Sequence, residues 1–335
     1  MPKDANIYDI ARLAGVSKST VSRVLNGHKG VSEDTRARVR QAIEDCTYIP
    51  NNSARSLSSI STQSIVLLVH GITNPFFSRI ISLILENLNG KDYDVILHSC
   101  ELDANISMAD TAISIYKEKR PKGIILLGGY FEENYPSLKM IGVPIVMAST
   151  TVLKTEDRSW FSSVTIDDET EGAKIADYIC RNGHRDIAVI GQYHLREKGM
   201  AKVFGEYGIT PTSVALDYDK AYLFMTGYKA ARKLLEQGKH TCFLCLSDVL
   251  AIGAMKAVHE KGLRIPEDIS IIGFDGIENG EYTNPTLTTF VQPFEEMAER
   301  SVSTLINLIN ADCPHTHIIL HTTLEKGGSF CPLQE

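Results

Sequence analysis

Residues 7–26 read IYDIARLAGVSKSTVSRVLN. Apolar side chains fall at Ile7, Ile10, Ala11 and Ala14, then at Val16, then at Val21, Val24 and Leu25: helical spacing twice over, with a break at Leu13-Ala14-Gly15-Val16. The pattern predicts helix, tight turn, helix. Gly15 supplies the backbone freedom the turn needs, and Ser17 can cap the second helix by accepting from the amide of Thr20 or Ser19. With Val21, Val24 and Leu25 turned inward, the second helix presents Lys18, Ser19, Ser22 and Arg23, flanked by Thr20 and Asn26. These short hydrogen-bonding groups and cations suit nucleic acid. A helix from Ser17 to Leu25 is about 13 Å long and fits a DNA major groove of similar width. The stretch predicts a helix-turn-helix reader.

A third helix is predicted over 32–45. Ser32, Thr35 and Arg36 give its cap signal, and Val39, Ala42 and Ile43 its apolar stripe. Together with Ile7-Tyr8-Asp9-Ile10-Ala11, Ala14-Gly15-Val16-Ser17, Thr20 to Asn26 and Tyr48-Ile49-Pro50-Asn51, the segment closely resembles the DNA-binding headpiece of the LacI/GalR family of bacterial repressors. On that reading Lys18, Ser19 and Arg23 meet base edges of a pseudo-palindromic operator. Tyr8, Thr20, Ser22 and Asn26 position phosphates, and Ser17 and Asn51 belong to the same DNA-facing set.

Asn51 to Ser58, NNSARSLS, is too short to persist as an isolated helix, which needs about 12–15 residues in water. The resemblance implies that it is the family's hinge helix, folding when two subunits dock it in the minor groove. Leu57 would wedge between base pairs there, with Ala54 and Arg55 at the groove. A Ser-rich tether with Leu57 packed on the core is the plainer alternative.

The formal net charge is −7, yet residues 1–59 carry nine Lys and Arg against six Asp and Glu. That leaves +3 in residues 1–59 and −10 elsewhere, so phosphate attraction is confined to the N-terminal part. Seven scattered cysteines and the lack of an export-signal pattern lead us to expect a reducing cytoplasm. Cys242-Phe-Leu-Cys245 has redox or zinc spacing but lies in an apolar run that reads as a buried strand. His315-x-His317 reads as a solvated loop. No metal or cofactor is expected, and no run approaches the ~18 apolar residues of a membrane span.

From Ser64 onward, strands alternate with helices. Strand candidates are 65–69, 95–97, 124–127, 145–148, 164–166, 187–190, 242–246 and 269–273, separated by helical stretches that include 75–89, 106–119, 168–182, 224–237, 249–261 and 294–310. Such alternation implies parallel sheets covered on both faces, with ligands at the carboxyl ends of the strands. The predicted organisation is an all-α helix-turn-helix headpiece over 1–50, a linker over 51–60, and an α/β core over 61–335. By resemblance the core is periplasmic-binding-protein-like, with two doubly wound parallel-sheet subdomains. The N-subdomain takes about 61–160 plus 291–321 and the C-subdomain about 161–290 plus 322–335, with crossings near Phe161, Phe290 and His321.

Family signatures recur at the strand ends: Asn74-Pro75-Phe76-Phe77, Arg196 to Gly199, Thr226-Gly227, Ser247 to Gly253, Gly262 to Asp275 and Pro285 to Thr289. They imply an effector in the cleft between the subdomains. Asn74, Phe76 and Phe77 would form one wall, Tyr222 would stack from the other side, and Arg196 and Asp275 would bond hydroxyls or ring nitrogens. Asp248 reads equally as helix cap or ligand, and Phe76 could pack in the core. Two departures border this cleft: a short Gly191–Arg196 loop, and Glu325 to Ser329 where the family commonly has Arg. No phosphate loop, G-x-G-x-x-G, G-x-S-x-G or H-E-x-x-H is present, so an enzyme is not expected. The reading is a ligand-responsive repressor, cytoplasmic and homodimeric. Its effector would be a sugar or sugar phosphate, with a nucleobase or a phosphocarrier protein on the core surface as alternatives.

Overall fold

The computed structural model of the chain describes residues 7–25, 30–45, 63–100, 107–129, 135–150, 157–214, 216, 223–311 and 313–333. The chain divides into two compact units, Met1–Ser61 and Thr62–Glu335. The first holds α1 (Ile7–Leu13), α2 (Lys18–Leu25) and α3 (Glu33–Asp45). Ile10, Ala11, Ala14, Val21, Val39 and Ala42 form its core. Gly15 has φ +63°, a conformation open to glycine at no steric penalty, and the Val16 amide donates to the Ala11 carbonyl at 2.9 Å to close the turn. The Thr20 amide donates to Ser17 Oγ at 3.1 Å, the cap expected from the sequence.

The second unit contains two six-stranded sheets. The first runs through β1 (Ser64–His70), α4 (Pro75–Leu88), β2 (Asp94–Cys100), α5 (Met108–Lys119), β3 (Gly123–Leu127), α6 (Tyr135–Leu138), β4 (Ile145–Ala148) and β5 (Ser162–Ile166). The second holds α7 (Asp168–Arg181), β6 (Ile187–Ile190), α8 (His194–Glu206), β7 (Thr212–Ser213), α9 (Phe224–Gln237), β8 (Cys242–Cys245), α10 (Asp248–Glu260), β9 (Ser270–Asp275) and β10 (Thr288–Val291). The chain then returns through α11 (Phe294–Asn310) and β11 (His317–Leu320) to the first sheet and ends with β12 (Thr323–Glu325) in the second. The strand orders are β11-β5-β4-β3-β1-β2 and β12-β10-β9-β8-β6-β7. Every pairing is parallel except β10 with β12. Strands covered on both faces explain the unbroken apolar runs: Ile65 to Val69 and Ile124 to Leu127 are all 0 % exposed.

The crossings depart from expectation in one place. β5 pairs with β4 and β11, so the chain leaves the first sheet after Ile166 rather than near Phe161. The cause is a ladder on both edges of β5: β4 pairs with Ser162 to Val164, and β11, where the sequence predicts a solvated loop around His315 and His317, pairs on the other side. His317 instead lies in the strand, its Nδ1 3.0 Å from Ser163 Oγ, while the Thr316 amide donates to Ser162 Oγ at 3.0 Å. These bonds satisfy the two serines that make 162–166 look unlike a strand. The second crossing is Gln292-Pro293, because β10 belongs to the second sheet while α11 packs on β3, β4 and β5. The third is His321-Thr322.

Two helix pairs in the second subdomain pack through reciprocal glycines. A Cβ on Gly172 or Gly199 would collide with the carbonyl of Arg196 or Glu169 across the α7–α8 contact, and one on Gly227 or Gly253 would collide with Leu250 or Phe224 across α9–α10. Behind α10, Ser247 Oγ caps the helix, accepting from the Leu250 amide at 3.4 Å. Asp248 turns inward: Oδ2 accepts from the amides of Gly276 (2.6 Å) and Ile277 (2.9 Å), and Oδ1 from the Thr289 hydroxyl (2.6 Å). Asp248 thereby ties α10 to the ends of β9 and β10. Cys242 and Cys245 are both buried, and burial pushes their thiols up, which leaves them as unreactive core residues.

Gly227→Ala should destabilise the core by about 1–3 kcal/mol through forced separation of α9 and α10. Gly205→Ala, with nothing within 4 Å of its new methyl, should cost little; paired thermal melts check both. Burial lifts the Asp248 carboxyl to about 7 although its hydrogen bonds pull the other way. A folded value above the unfolded ~3.9 stabilises the fold fully at low pH, and that contribution is lost as pH rises through about 7. The melting temperature of the wild type should therefore fall between about pH 4 and about pH 7 more steeply than that of Asp248→Asn.

Candidate nucleic-acid interface and ligand cleft

In the first unit, burial of Val21 rotates α2 so that Lys18, Ser19 and Arg23 are exposed, with Thr20 and Ser22 at the margin. Ser17 Oγ lies 2.8 Å from both Ser19 Oγ and Thr20 Oγ1, so three hydroxyls gather at the start of the helix, where the free amides and the helix dipole favour an anion. Tyr8, 64 % exposed on α1, receives a hydrogen bond from Lys18 Nζ at 3.3 Å, and the same ammonium lies 4.9 Å from the ring centroid. Lys18 is thus steered by α1 rather than free to sweep. Asn26, Asn51, Ala54, Arg55 and Leu57 lie outside the described residues, as does the whole stretch 51–58.

In the core, the residues expected at the effector site divide. Asn74 is buried as the cap of α4, its Oδ1 accepting from the Phe76 amide at 3.1 Å. Phe76 is 4 % exposed between Phe77 and Phe294, with centroids 5.0 Å and 5.3 Å away, so it serves the core rather than a wall. Phe77 is half-buried beside Gly71 and Gly128, at the carboxyl ends of β1 and β3. Tyr222 lies outside the described residues. Asp248 is committed to the protein as described above.

Arg196 sits not in a loop but in the first turn of α8. Its Nε and Nη2 donate to Asp168 Oδ1 at 3.2 Å and 2.7 Å, and Nη1 donates to the Leu246 carbonyl at 2.9 Å. The guanidinium lies 3.6 Å from the Phe274 ring centroid and 4.6 Å from that of Tyr193. Burial pushes the Asp168 carboxyl up against the opposing pull of Arg196. Asp275 closes β9 with φ +120°, a region that strains a non-glycine residue and that concentrates at functional sites. Its Oδ1 accepts from Gln292 Nε2 at 2.8 Å. Burial first, and then the neighbouring Asp248 charge, hold its carboxyl well above the usual range.

The structure also brings in residues that the sequence reading passes over: Asp168, Tyr193, Gln292 and Gln192, whose Oε1 is buried without a hydrogen-bond partner. An acidic residue in a first helical turn and an amide in a loop give no local sign of such a role. Together these groups set three carboxylates against one guanidinium at the carboxyl ends of β6, β8 and β9. Among the described residues no cluster could hold a metal, and no helix is long and apolar enough to cross a membrane.

Residues 6–51 match the profile of bacterial regulatory proteins of the lacI family, and 176–330 match a periplasmic binding protein-like domain. The chain is 40 % identical to the HTH-type transcriptional regulator MalR of Clostridium butyricum over 97 % of its own length and 98 % of that protein's. A lac repressor dimer bound to operator and the anti-inducer ONPF superposes with a TM-score of 0.75 at 25 % identity, covering 98 % of this chain and 99 % of that one. A LacI family regulator from Enterococcus faecium with bound ribose does so with a TM-score of 0.69 at 26 % identity, covering 81 % and 100 %. The likeness at 40 % identity runs through headpiece and core alike and establishes the kinship: the chain belongs to the LacI family of bacterial regulatory proteins and is a DNA-binding transcriptional regulator.

Proposed function

We propose that the protein is a cytoplasmic repressor that grips a pseudo-palindromic operator as a homodimer and loosens or tightens that grip when a neutral, hydroxyl-rich effector enters the core cleft. The α2 face carries the DNA half of this reading. Lys18, Ser19 and Arg23 take base edges, while Tyr8, Ser17, Thr20, Ser22 and Asn26 take the backbone. Residues 1–50 act as the reading head, and 51–60, with Leu57 as wedge, as the coupling element to the core. Dimerisation draws support from the lac repressor dimer and from β2, an edge strand with Leu97 43 % exposed.

The commitment of Arg196 carries the effector half. A phosphorylated or carboxylated ligand needs an uncommitted cation, and Arg196 already commits Nε and one N–H of each Nη to Asp168 and Leu246, with rings beside its guanidinium. What the strand ends offer instead are acceptors in the second subdomain, Asp275 and the unpartnered Gln192 Oε1, and the apolar, half-buried Phe77 in the first. Hydroxyl groups on a sugar satisfy such a site, whereas an anion meets acceptors, with Arg196 already paired to Asp168. The ligand is bound and released unchanged, since the sequence holds none of the catalytic motifs sought in it.

Arg23→Ala should weaken specific operator binding by about 1–3 kcal/mol and leave random DNA nearly unaffected, measured by fluorescence anisotropy on both. Equal weakening of the two would make Arg23 a phosphate contact. Cellobiose, ribose and other neutral sugars, screened beside their phosphate esters and free purines, should contain the compounds that raise the melting temperature. Asp275→Asn should abolish that rise while sparing operator binding by the free protein. A larger rise with the phosphate esters would reverse the effector assignment.

A further inference from the structure

Three segments carry the chain between the two sheets, and the third is tied to the second subdomain by a charged cluster around the buried Glu171. Glu171 stands in the first turn of α7, shortly after the first crossing, with its side chain 1 % exposed. The Thr322 hydroxyl donates to Oε2. Lys174 Nζ donates to the same Oε2 at 3.2 Å and to the Thr322 carbonyl at 2.6 Å, and His321 Nδ1 lies 3.4 Å from Oε1. Residues 321–322 are the whole of the third crossing, between β11 and β12. The Lys174 ammonium also stands 5.7 Å over the ring of Phe290, which meets Tyr178 edge-on at 6.1 Å; Phe290 lies on β10 just ahead of the second crossing. One face of α7 therefore touches the approaches to two crossings and itself begins at the other.

A buried carboxylate is expensive unless its lone pairs are filled, and packing alone at this position would be served as well by an apolar residue. Here the lone pairs are filled by the crossing segment itself. Charged hydrogen bonds are directional, whereas apolar contacts tolerate sliding. We propose that Glu171 and Lys174 are positioning residues that fix the pivot of the cleft. They bind residues 321–322 to the second subdomain, so that the third crossing bends on its β11 side, at Leu320-His321. Opening and closing then follow one axis instead of many. The inference goes beyond the effector reading and does not depend on which ligand fills the cleft.

The test uses the full chain with a donor and acceptor fluorophore introduced through noncanonical residues at Met140 and Tyr282. These are 73 % and 79 % exposed and belong to the first and second subdomains. Single-molecule energy transfer in the unliganded protein should give one narrow distance distribution. Thr322→Val, which removes a single hydroxyl, and Lys174→Met should broaden or shift it, and amide exchange over 320–325 should quicken several-fold. Lys256→Met, which breaks the exposed Lys256–Glu260 pair on α10, should change neither. Melting curves establish that each variant is folded. Distributions that superpose on the wild type while the melting temperature drops would make the cluster a stabilising contact only, and overturn the proposal. A wild-type distribution as broad as that of the variants would overturn it equally, and neither outcome would touch the assignment of the effector.

Discussion

A guanidinium taken out of water must find its acceptors within the protein, and Arg196 finds them on three elements at once. Asp168 comes from the start of α7, the Leu246 carbonyl from the end of β8, and the ring of Phe274 from β9. The glycine contact between α7 and α8 makes the geometry attainable, because Gly172 leaves no Cβ to push away the backbone of Arg196 itself. Buried ion pairs seldom add much net stability, since desolvation offsets most of the attraction. Their directionality is another matter. This one holds the floor of the cleft in a single arrangement.

From that floor the polar groups lead outward to the hinge. Asp168 follows the first crossing directly, and Asp275 is held by Gln292, which is the second crossing. Glu171 and Lys174 hold the third. A ligand that takes up Asp275 or displaces Arg196 must therefore disturb a residue on which the relative orientation of the two sheets depends. A coupling of about 1–3 kcal/mol, enough for roughly 5- to 150-fold regulation, is of the size that exchanging one or two such bonds can supply.

The charge distribution separates the two tasks of the chain. Residues 1–59 at +3 and the remainder at −10 keep phosphate attraction with the N-terminal part that holds the reading helix. Burial raises the Asp248 and Asp275 carboxyls, with the Asp248 charge adding to the effect on Asp275, so the cleft carries less negative charge near neutrality than a count of its carboxylates would suggest.

The sequence by itself determined the elements whose signal is local. Helix, turn and helix over 7–26 followed from 3.6-residue spacing, a glycine at the turn and a serine at the cap. The buried strands of the core followed from apolar runs that only two-sided burial explains. Contacts between distant residues were decided by tertiary structure. β11 was illegible because its four residues become a strand only when β5 supplies the ladder and Ser163 the partner for His317. With β4 on the other edge of β5, that pairing puts the first crossing after Ile166. Asp248 read equally as cap or ligand, since the amides of Gly276 and Ile277 that claim it lie far along the chain. Arg196 and Asp275 are visible in the sequence as polar residues near strand ends, but nothing local marks their partners as standing beside the hinge. Periodicity and capping act over a few residues and are written in sequence order, whereas a buried charge takes whichever acceptor the fold brings within 3 Å.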